Sequence, residues 1–465
     1  MADNTSVDLI VLGGGSGGYA AALRAAELNK SVVLVEKDKV GGTCLHRGCI
    51  PTKALLHAGE IADQARESSQ FGVNATFDGI DMAGVHKYKD GVVDKNHKGL
   101  QGLIRSRGIQ IVEGEGRLTG TDQVTVGDTV YTATNIILAT GSYSRTLPGL
   151  ELDGRRVIAS EHALQLDHVP ASAVVLGGGV IGVEFASAWR SFGADVTIVE
   201  ALPHLVPLED EANSRLLERA FRRRGIGFKL GARFQRLEHT DAGVRVFLDG
   251  SETLEAELLL VAVGRGPTSA NLGYEQAGIA IDRGFVTVDE YCRTNVPGIY
   301  AVGDLVAMPQ VAHPQLAHVG FAEGILVAEH IAGLPVVPID YAGVPRITYS
   351  SPEVASVGLT EGQAAERHGA DNVKTVTYDL SGNGRSSILQ TKGAVKLVAR
   401  VDGPVLGVHI VGDRVGELIA EAQLIYNWEA LPSEVAQLIH PHPTQSEAIG
   451  EAHLLLAGKP LHVHE

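Results

Sequence analysis

Two stretches of the chain share one pattern of apolar and polar positions. Residues 7–12 (VDLIVL) form an almost unbroken apolar run, as a strand buried on both faces does. Gly13, Gly15 and Gly18 follow, then an alanine-rich stretch that predicts a helix through Asn29, then a second strand over residues 31–35 ending at Glu36. Far downstream, residues 173–176 lead into Gly177, Gly179 and Gly182, a predicted helix through Phe192, and a strand over 194–199 ending at Glu200. In both copies the acid stands 23 residues after the first glycine.

An isolated G-x-G-x-x-G is weak, but strand, glycines, helix, strand and acid in that order are specific to a dinucleotide unit. The glycines let the backbone approach a pyrophosphate, the helix N-terminus holds it, and the acid accepts from a ribose hydroxyl. Each copy therefore implies one adenine dinucleotide; the plain alternative is a glycine turn entering a helix with no ligand. After Glu200 come Ala201, Leu202, Pro203 and His204, with no Arg or Lys to meet a 2′-phosphate, so the second unit favours NAD over NADP.

Just after the first unit, Cys44 and Cys49 stand five positions apart. On an ideal helix that separation is roughly 8 to 9 Å between Cα atoms, whereas a disulfide wants about 4.4 to 6.8 Å. A bridge here needs a distorted helix start. Gly48 can relax the backbone, and Pro51 is tolerated only in a first turn, so regular helix is expected from near Cys49. A thiolate at that N-terminus is stabilised by unpaired N–H groups, which makes Cys49 the better candidate for a persistent thiolate. The residues alone leave open a redox disulfide, a structural one, half a metal site, or two unpaired thiols. One further cysteine, Cys292, gives no second pair to complete a zinc site, and no metal site is expected.

Length and composition narrow the class. A chain of 465 residues should hold about three domains, or four if one is small, and its 44% hydrophobic and 20% charged content suits an α/β enzyme. The net charge of −16 argues against a nucleic-acid surface and allows steering toward a basic partner. Residues 1–6 show no signal peptide, and no apolar run approaches the roughly 18 residues that cross a bilayer. A cytoplasmic protein is expected, where a disulfide is more often catalytic than structural.

Near the C-terminus stands His440-Pro441-His442-Pro443-Thr444-Gln445-Ser446-Glu447. The prolines bias the preceding histidines to extended geometry, which predicts a shaped loop, with Ser446 or Thr444 capping the helix that follows. A lone histidine is usually packed or solvated, but thiol exchange needs a base and histidine's pKa suits it.

Taken in order, these segments, together with residues 41–53 (GGTCLHRGCIPTK), 139–142 (ATGS), 263–265 (VGR), 298–304 (GIYAVGD) and 442–447 (HPTQSE), give a specific match. The chain resembles the flavin-dependent pyridine nucleotide-disulfide oxidoreductases, and among them the dihydrolipoyl dehydrogenases, over essentially its whole length. The resemblance implies an α/β fold of two Rossmann-like domains, for FAD and NAD, plus a C-terminal α+β dimerisation domain. It implies a Cys44–Cys49 redox disulfide beside the flavin, Lys53 near the flavin N5 with Glu184 as its partner, and His442 as catalytic base oriented by Glu447. Gly13, Gly15, Gly18, Glu36, Lys37, Gly42, Thr43, Lys53, Gly116, Thr140, Gly141, Ser142, Gly177, Gly179, Gly182, Glu200, Val263, Gly264, Arg265, Gly303, Asp304 and Ala317 fall at cofactor-binding positions, with Glu36 on the adenosine ribose and Asp304 on the flavin.

The implied reaction is oxidation of protein-bound dihydrolipoamide with reduction of NAD. The implied partners are a second copy sharing the active site, a lipoyl domain, and the acyltransferase core of 2-oxo acid dehydrogenase complexes or the glycine cleavage system. The chain departs from the family at His46, where Asn is usual, and at Pro441, where a small residue is usual. His440 is expected to support the loop; His313, His318, His462 and His464 suggest no role. The expected divisions are residues 1–149 for FAD, 150–270 for NAD, 271–340 as a central segment returning to the flavin, and 341–465 as the interface domain. Two rivals remain: a reductase of another small disulfide or of mercuric ion, although the extra C-terminal cysteine pair of the latter is missing, and a flavin-bearing docking subunit, which would need neither the cysteine pair nor His442.

Overall fold

A computed structural model describes residues 5–309 and 311–463; the expectations for residues 1–4 and for His464 fall outside it. The chain divides into two compact units: Met1–Ala54 with Ala83–Arg145 and Gly264–Tyr341, and Leu55–Met82 with Thr146–Val263 and Ala342–Glu465.

In the first unit the strand Thr5–Leu12 lies between Val32–Glu36 and Thr129–Leu138, all parallel, with Gln110–Glu113 outside Val32–Glu36. Ile299–Ala301 joins the far side of Thr129–Leu138, also in parallel, which returns a late segment of the chain to the first sheet. Leu9, Ile10, Val11, Val33, Leu34, Ile136 and Ile137 are fully or almost fully buried, as strands covered on both faces require. The helix Ser16–Glu27 packs on the helix Ala317–Ile331 through glycines. A Cβ built on Gly324 would stand 2.3 Å from the Gly17 carbonyl oxygen, so only glycine allows that approach. The first helix stops at Glu27, two residues short of the predicted end, where the chain turns through Asn29 at φ +60°.

The second unit repeats the architecture with the parallel order Gly227–Leu230, Asp195–Glu200, Ser172–Leu176, Leu258–Val261, Val157–Ile158. Its C-terminal part is a five-stranded antiparallel sheet, in the order Arg346–Thr348, Glu353–Gly358, Val405–Gly412, Ala394–Arg400, Val373–Asp379. The helices Val415–Asn427 and Glu447–Leu456 share its core through Ile419, Ala422, Ala448, Ile449 and Ala452. No helix among the described residues is long and apolar enough to cross a membrane.

Candidate active site

The two glycine turns have nearly superimposable local chemistry. Gly13 has φ +107° and Gly177 φ +110°, and a Cβ on either would sit 2.3 Å from a carbonyl oxygen, of Ala139 or Ala262 respectively. A Cβ on Gly18 would lie 1.8 Å from the Gly13 oxygen, and one on Gly182 2.0 Å from the Gly177 oxygen, so the third glycine is where helix presses on turn. The middle glycines differ in kind. Nothing lies within 4 Å of a Cβ on Gly15 or Gly179, each of which caps its helix. That open space in front of unpaired helix N–H groups is what a pyrophosphate needs.

The acids close each turn. Glu36 accepts from the Gly14 N–H at 2.7 Å and the Asp38 N–H at 2.9 Å; Glu200 accepts from Gly178 at 2.6 Å and Leu202 at 2.8 Å. Each carboxylate oxygen keeps a further lone pair for a ribose hydroxyl. Burial pushes the Glu36 carboxyl up, against the pull of the Gly14 N–H and of Lys37. The residues present therefore fit two adenine dinucleotides, and the Glu200 carboxylate, 8% exposed, would repel a 2′-phosphate.

Around the cysteines, the short helix Gly42–Arg47 breaks at Gly48, whose φ of −145° and ψ of −110° are not helical, and a new helix, Cys49–Glu67, begins. Pro51 falls in its first turn, where its missing N–H costs nothing. The kink brings the two thiols into hydrogen-bond contact. The contact with Cys49 and burial push the Cys44 thiol up, while Lys53, one turn into the new helix, pulls it down. Tyr19, on the first helix, is pushed to about 12 by burial and by both cysteines beside it. Its place next to the pair was not legible in sequence, because a tyrosine in an alanine-rich helix reads as packing. His46 sets its Nε2 3.0 Å from the Val40 carbonyl oxygen and packs edge-on against His97, ring centroids 4.8 Å apart.

A third cluster joins segments far apart in sequence. Gly303, at φ +76°, follows Ile299–Ala301 and presents Asp304, whose carboxylate accepts from Ser142 Oγ at 2.5 Å. Arg265 donates from Nε to Ser142 Oγ at 2.7 Å and from Nη2 to the Ser142 carbonyl at 2.8 Å. Thr140 donates to the Thr268 carbonyl at 2.6 Å and lies 3.1 Å from the Tyr274 hydroxyl. Arg265, placed by its motif among the cofactor residues, thus works here by holding the side chain that holds Asp304. Gly303 donates its N–H to Glu323 at 2.6 Å. Sequence reasoning missed Glu323; its one signal is an acid inside the apolar stretch of the helix Ala317–Ile331.

Other expected positions fall as follows. Gly116 starts a strand, and a Cβ there would press on Leu12, Val35 and Val124, so its neighbourhood is core. Gly42 lies at φ +57° with Thr43 and Lys37 exposed, and Ala317 opens its helix. Glu184 is 2% exposed and accepts from the Tyr349 N–H at 2.9 Å, so it is a seated buried acid. Lys53 belongs to the first unit and Glu184 to the second, as does Val263, two residues past the strand Leu258–Val261; Gly264 returns to the first.

At the C-terminus, residues 440–446 form a non-helical loop ahead of Glu447–Leu456. His442 Nδ1 lies 2.8 Å from Glu447 Oε1, and Glu447 Oε2 accepts from the Thr444 N–H at 2.7 Å. Burial pushes the Glu447 carboxyl up, but the Thr444 N–H and the His442 ring outweigh it and hold it below the usual range. The imidazole is 77% exposed, with Nε2 directed away from its own orienting acid. Ser446 precedes the helix but makes no capping hydrogen bond, and Thr444 donates to the Pro441 carbonyl and contacts Ser446, so the expected hydroxyl cap does not form; the Glu447 carboxylate instead reaches back to the loop N–H of Thr444. His440 is seated on Glu421 at 2.7 Å, and His462 lies 2.8 Å from Glu451. Among the described residues no cluster of three or more His, Cys, Asp or Glu could hold a metal.

Comparison with known proteins places these features in one lineage. The pyridine nucleotide-disulphide oxidoreductase model matches residues 7–324, and the corresponding dimerisation-domain model matches residues 344–453. A dihydrolipoyl dehydrogenase of Bacillus subtilis is 41% identical over 478 residues, covering 98% of this chain and 99% of that one. One from Zymomonas mobilis is 39% identical, covering 99% and 100%. Among solved structures, LpdA from Mycobacterium tuberculosis superposes with a TM-score of 0.89 at 29% identity over 97% of this chain and 99% of that one. The flavoprotein disulfide reductase RclA from Escherichia coli superposes at 0.86 and 27%, over 97% and 100%. The chain belongs to the pyridine nucleotide-disulphide oxidoreductase family, whose members work with FAD and NAD(H).

Proposed function

We propose that the protein is a dihydrolipoyl dehydrogenase, oxidising dihydrolipoamide and reducing NAD+ through a Cys44–Cys49 disulfide. The observation that carries this reading is the kink at Gly48, which sets two thiols in contact in the unit that holds the first glycine turn. FAD would be held by the Gly13–Gly18 turn, Glu36 and Asp304, and NAD by the Gly177–Gly182 turn and Glu200. When bound, the flavin carries the two electrons from the cysteine pair to the nicotinamide, which takes them as hydride.

The chain's own residues carry the thiol chemistry. His442 accepts a proton at Nε2 from one substrate thiol, and Glu447, ionised through neutral pH, holds the ring and stabilises its cation. The substrate thiolate attacks Cys44 Sγ; the Cys44–Cys49 bond breaks and Cys49 leaves as thiolate, stabilised at its helix N-terminus and by Lys53. The second substrate sulfur attacks the first while its proton passes to the departing Cys44 sulfur; the cyclic disulfide leaves, Cys44 is left as a thiol and the first proton remains on His442. Two electrons then reside on the cysteine pair.

His442 is proposed to serve the cysteine pair of the other subunit in a homodimer. Its exposure supports this, as do Ile439 at 97% and Leu438 at 59% exposure just before it, apolar surface that a partner copy would cover. Lipoyl domains and an acyltransferase core are the proposed larger partners, and the cytosol the proposed site of action. The four expected divisions of the chain stand as a proposal for how these tasks are shared.

Steady-state assay with dihydrolipoamide and NAD+ tests the reading, set beside glutathione disulfide and mercuric ion with NADPH. Fast lipoamide turnover that Cys49→Ser abolishes while FAD is retained is the expected result. Negligible lipoamide turnover beside fast reduction of another substrate overturns it.

A further inference from the structure

Glu323 is a carboxylate with no exposed surface, inside a helix, and three donors converge on it. The Gly303 N–H donates to Oε2 at 2.6 Å, and His313 Nε2 and the Tyr341 hydroxyl meet Oε1 at 2.6 and 2.7 Å. The Tyr341 hydroxyl is also hydrogen-bonded to Cys292, the third cysteine, which is fully buried. The His313 side chain is 4% exposed and packs on Tyr341 with ring centroids 5.2 Å apart; its Nδ1 is buried with no hydrogen-bond partner among the described residues. Glu323 is thus the partner that seats this ring.

A buried carboxylate is costly, and it persists only where donors satisfy it. Here the satisfied lone pairs point in two directions. Oε1 is tied to His313 and Tyr341; Oε2 is committed to the peptide N–H immediately before Asp304. Gly303, at φ +76°, has open space where a Cβ would stand, so packing around its own side does not determine where that peptide points. Ser142 and Arg265 fix the Asp304 side chain, and Glu323 fixes the backbone from which it springs. Burial, with Glu323 close by, pushes both Tyr341 and Cys292 up, so both remain protonated donors through the working pH range.

We infer that Glu323 is a positioning residue for the Gly303–Asp304 segment, and through it for the flavin, with His313 and Tyr341 as the donors that lock its carboxylate. The inference rests on the reading of Asp304 as a flavin ligand. A glutamine at 323 keeps one oxygen but turns an amide donor toward one of three donors, whereas a phenylalanine at 341 removes one donor and leaves the carboxylate.

The test uses the FAD-loaded enzyme as wild type, Glu323→Gln, Tyr341→Phe and Asp304→Asn, and measures FAD release, flavin absorption maxima and reduction potential, KM and kcat for dihydrolipoamide, and melting temperature. Glu323→Gln should release FAD about ten-fold faster or more, the size of one charge-assisted hydrogen bond. Its flavin maxima and potential should shift, kcat should fall and KM should hold, since the cysteine pair handles the thiol substrate. Tyr341→Phe should move the same readouts by less. Wild-type FAD release and flavin spectrum in Glu323→Gln overturn the inference, and if that variant does not fold, an unshifted Tyr341→Phe flavin does so instead. An Asp304→Asn enzyme with unchanged FAD release removes the underlying reading; one that loses FAD while Glu323→Gln does not removes only this inference.

Discussion

Alanine at two glycines of the second turn, Gly179 and Gly182, should give opposite phenotypes. At Gly182 the added methyl would sit 2.0 Å from the Gly177 carbonyl oxygen and 3.0 Å from Val175 Cγ1. Van der Waals contact needs more than an ångström beyond the first distance, and the blocking atom is backbone, so strand and helix must part. Overpacking of this kind costs about 1 to 3 kcal/mol or more. At Gly179 no atom lies within 4 Å of the methyl, and φ −77° with ψ −174° is extended backbone open to any residue. The cost is that of alanine at a helix N-cap, about 1 kcal/mol at most. The methyl does, however, stand in the space through which a pyrophosphate would reach the helix N–H groups.

Melting curves and rapid-mixing measurement of flavin reduction by NADH separate the two. Gly179→Ala should melt near wild type with its NADH dependence displaced to concentrations about ten-fold higher or more, the cost of losing at least one phosphate hydrogen bond. Gly182→Ala should melt several degrees lower. Wild-type NADH affinity in Gly179→Ala, or wild-type stability in Gly182→Ala, would falsify the division of labour between the middle and third glycines.

Three further outcomes follow from the structure. His442→Ala should lower dihydrolipoamide turnover by about 10²- to 10⁴-fold and leave NADH oxidation by an artificial acceptor intact; equal loss in both assays would deny His442 its role as thiol base. Burial, together with Asp413, Glu417 and Glu60, pushes Glu353 from 4.5 to about 7 against the Gly416 N–H it accepts, so between those pH values the folded state holds a proton the unfolded state has lost. Stability should therefore be full below the lower value and fall as pH rises through the upper one, by at most about 3 kcal/mol, and chemical denaturation of Glu353→Gln at pH 5 and 8 should show a flatter dependence than wild type; an identical slope would contradict it. Lys396→Met removes the ammonium, 9% exposed, that sits between Asp210 and Glu361 and leaves the buried Asp210 carboxylate with only its Ala212 and Glu361 N–H donors, a loss of about 3 kcal/mol that urea denaturation reads directly.

Why some of this site is visible in the chain and some is not follows from the range of the forces involved. The glycine turns are local: Gly13 meets Gly18 and Glu36 meets Gly14 within one strand-turn-helix unit, so period, glycine spacing and acid spacing suffice to read them. The Gly48 break was legible for the same reason, since one glycine, one proline and the length of a disulfide constrain six residues. His442 and Glu447, five apart, were paired by the family resemblance and not by any local rule; their hydrogen bond comes from the carboxylate reaching back over Thr444, and the hydroxyl cap that local preferences suggested does not form. Arg265, Ser142 and Asp304 lie 123 and 162 positions apart in their contacts, and two long-range pairings bring them together: Arg265–Pro267 against Ser142–Ser144, and Ile299–Ala301 against the first sheet. Glu323 is the limiting case: its three partners stand 10, 18 and 20 positions away, one in a loop and two at the start of short 3-10 turns, at separations set by no helical or strand period. What sequence shows of such a residue is an acid where the pattern calls for an apolar side chain. That mismatch is informative, because a buried charge persists only where several donors are arranged to receive it, and such arrangements gather where a backbone must be held for chemistry.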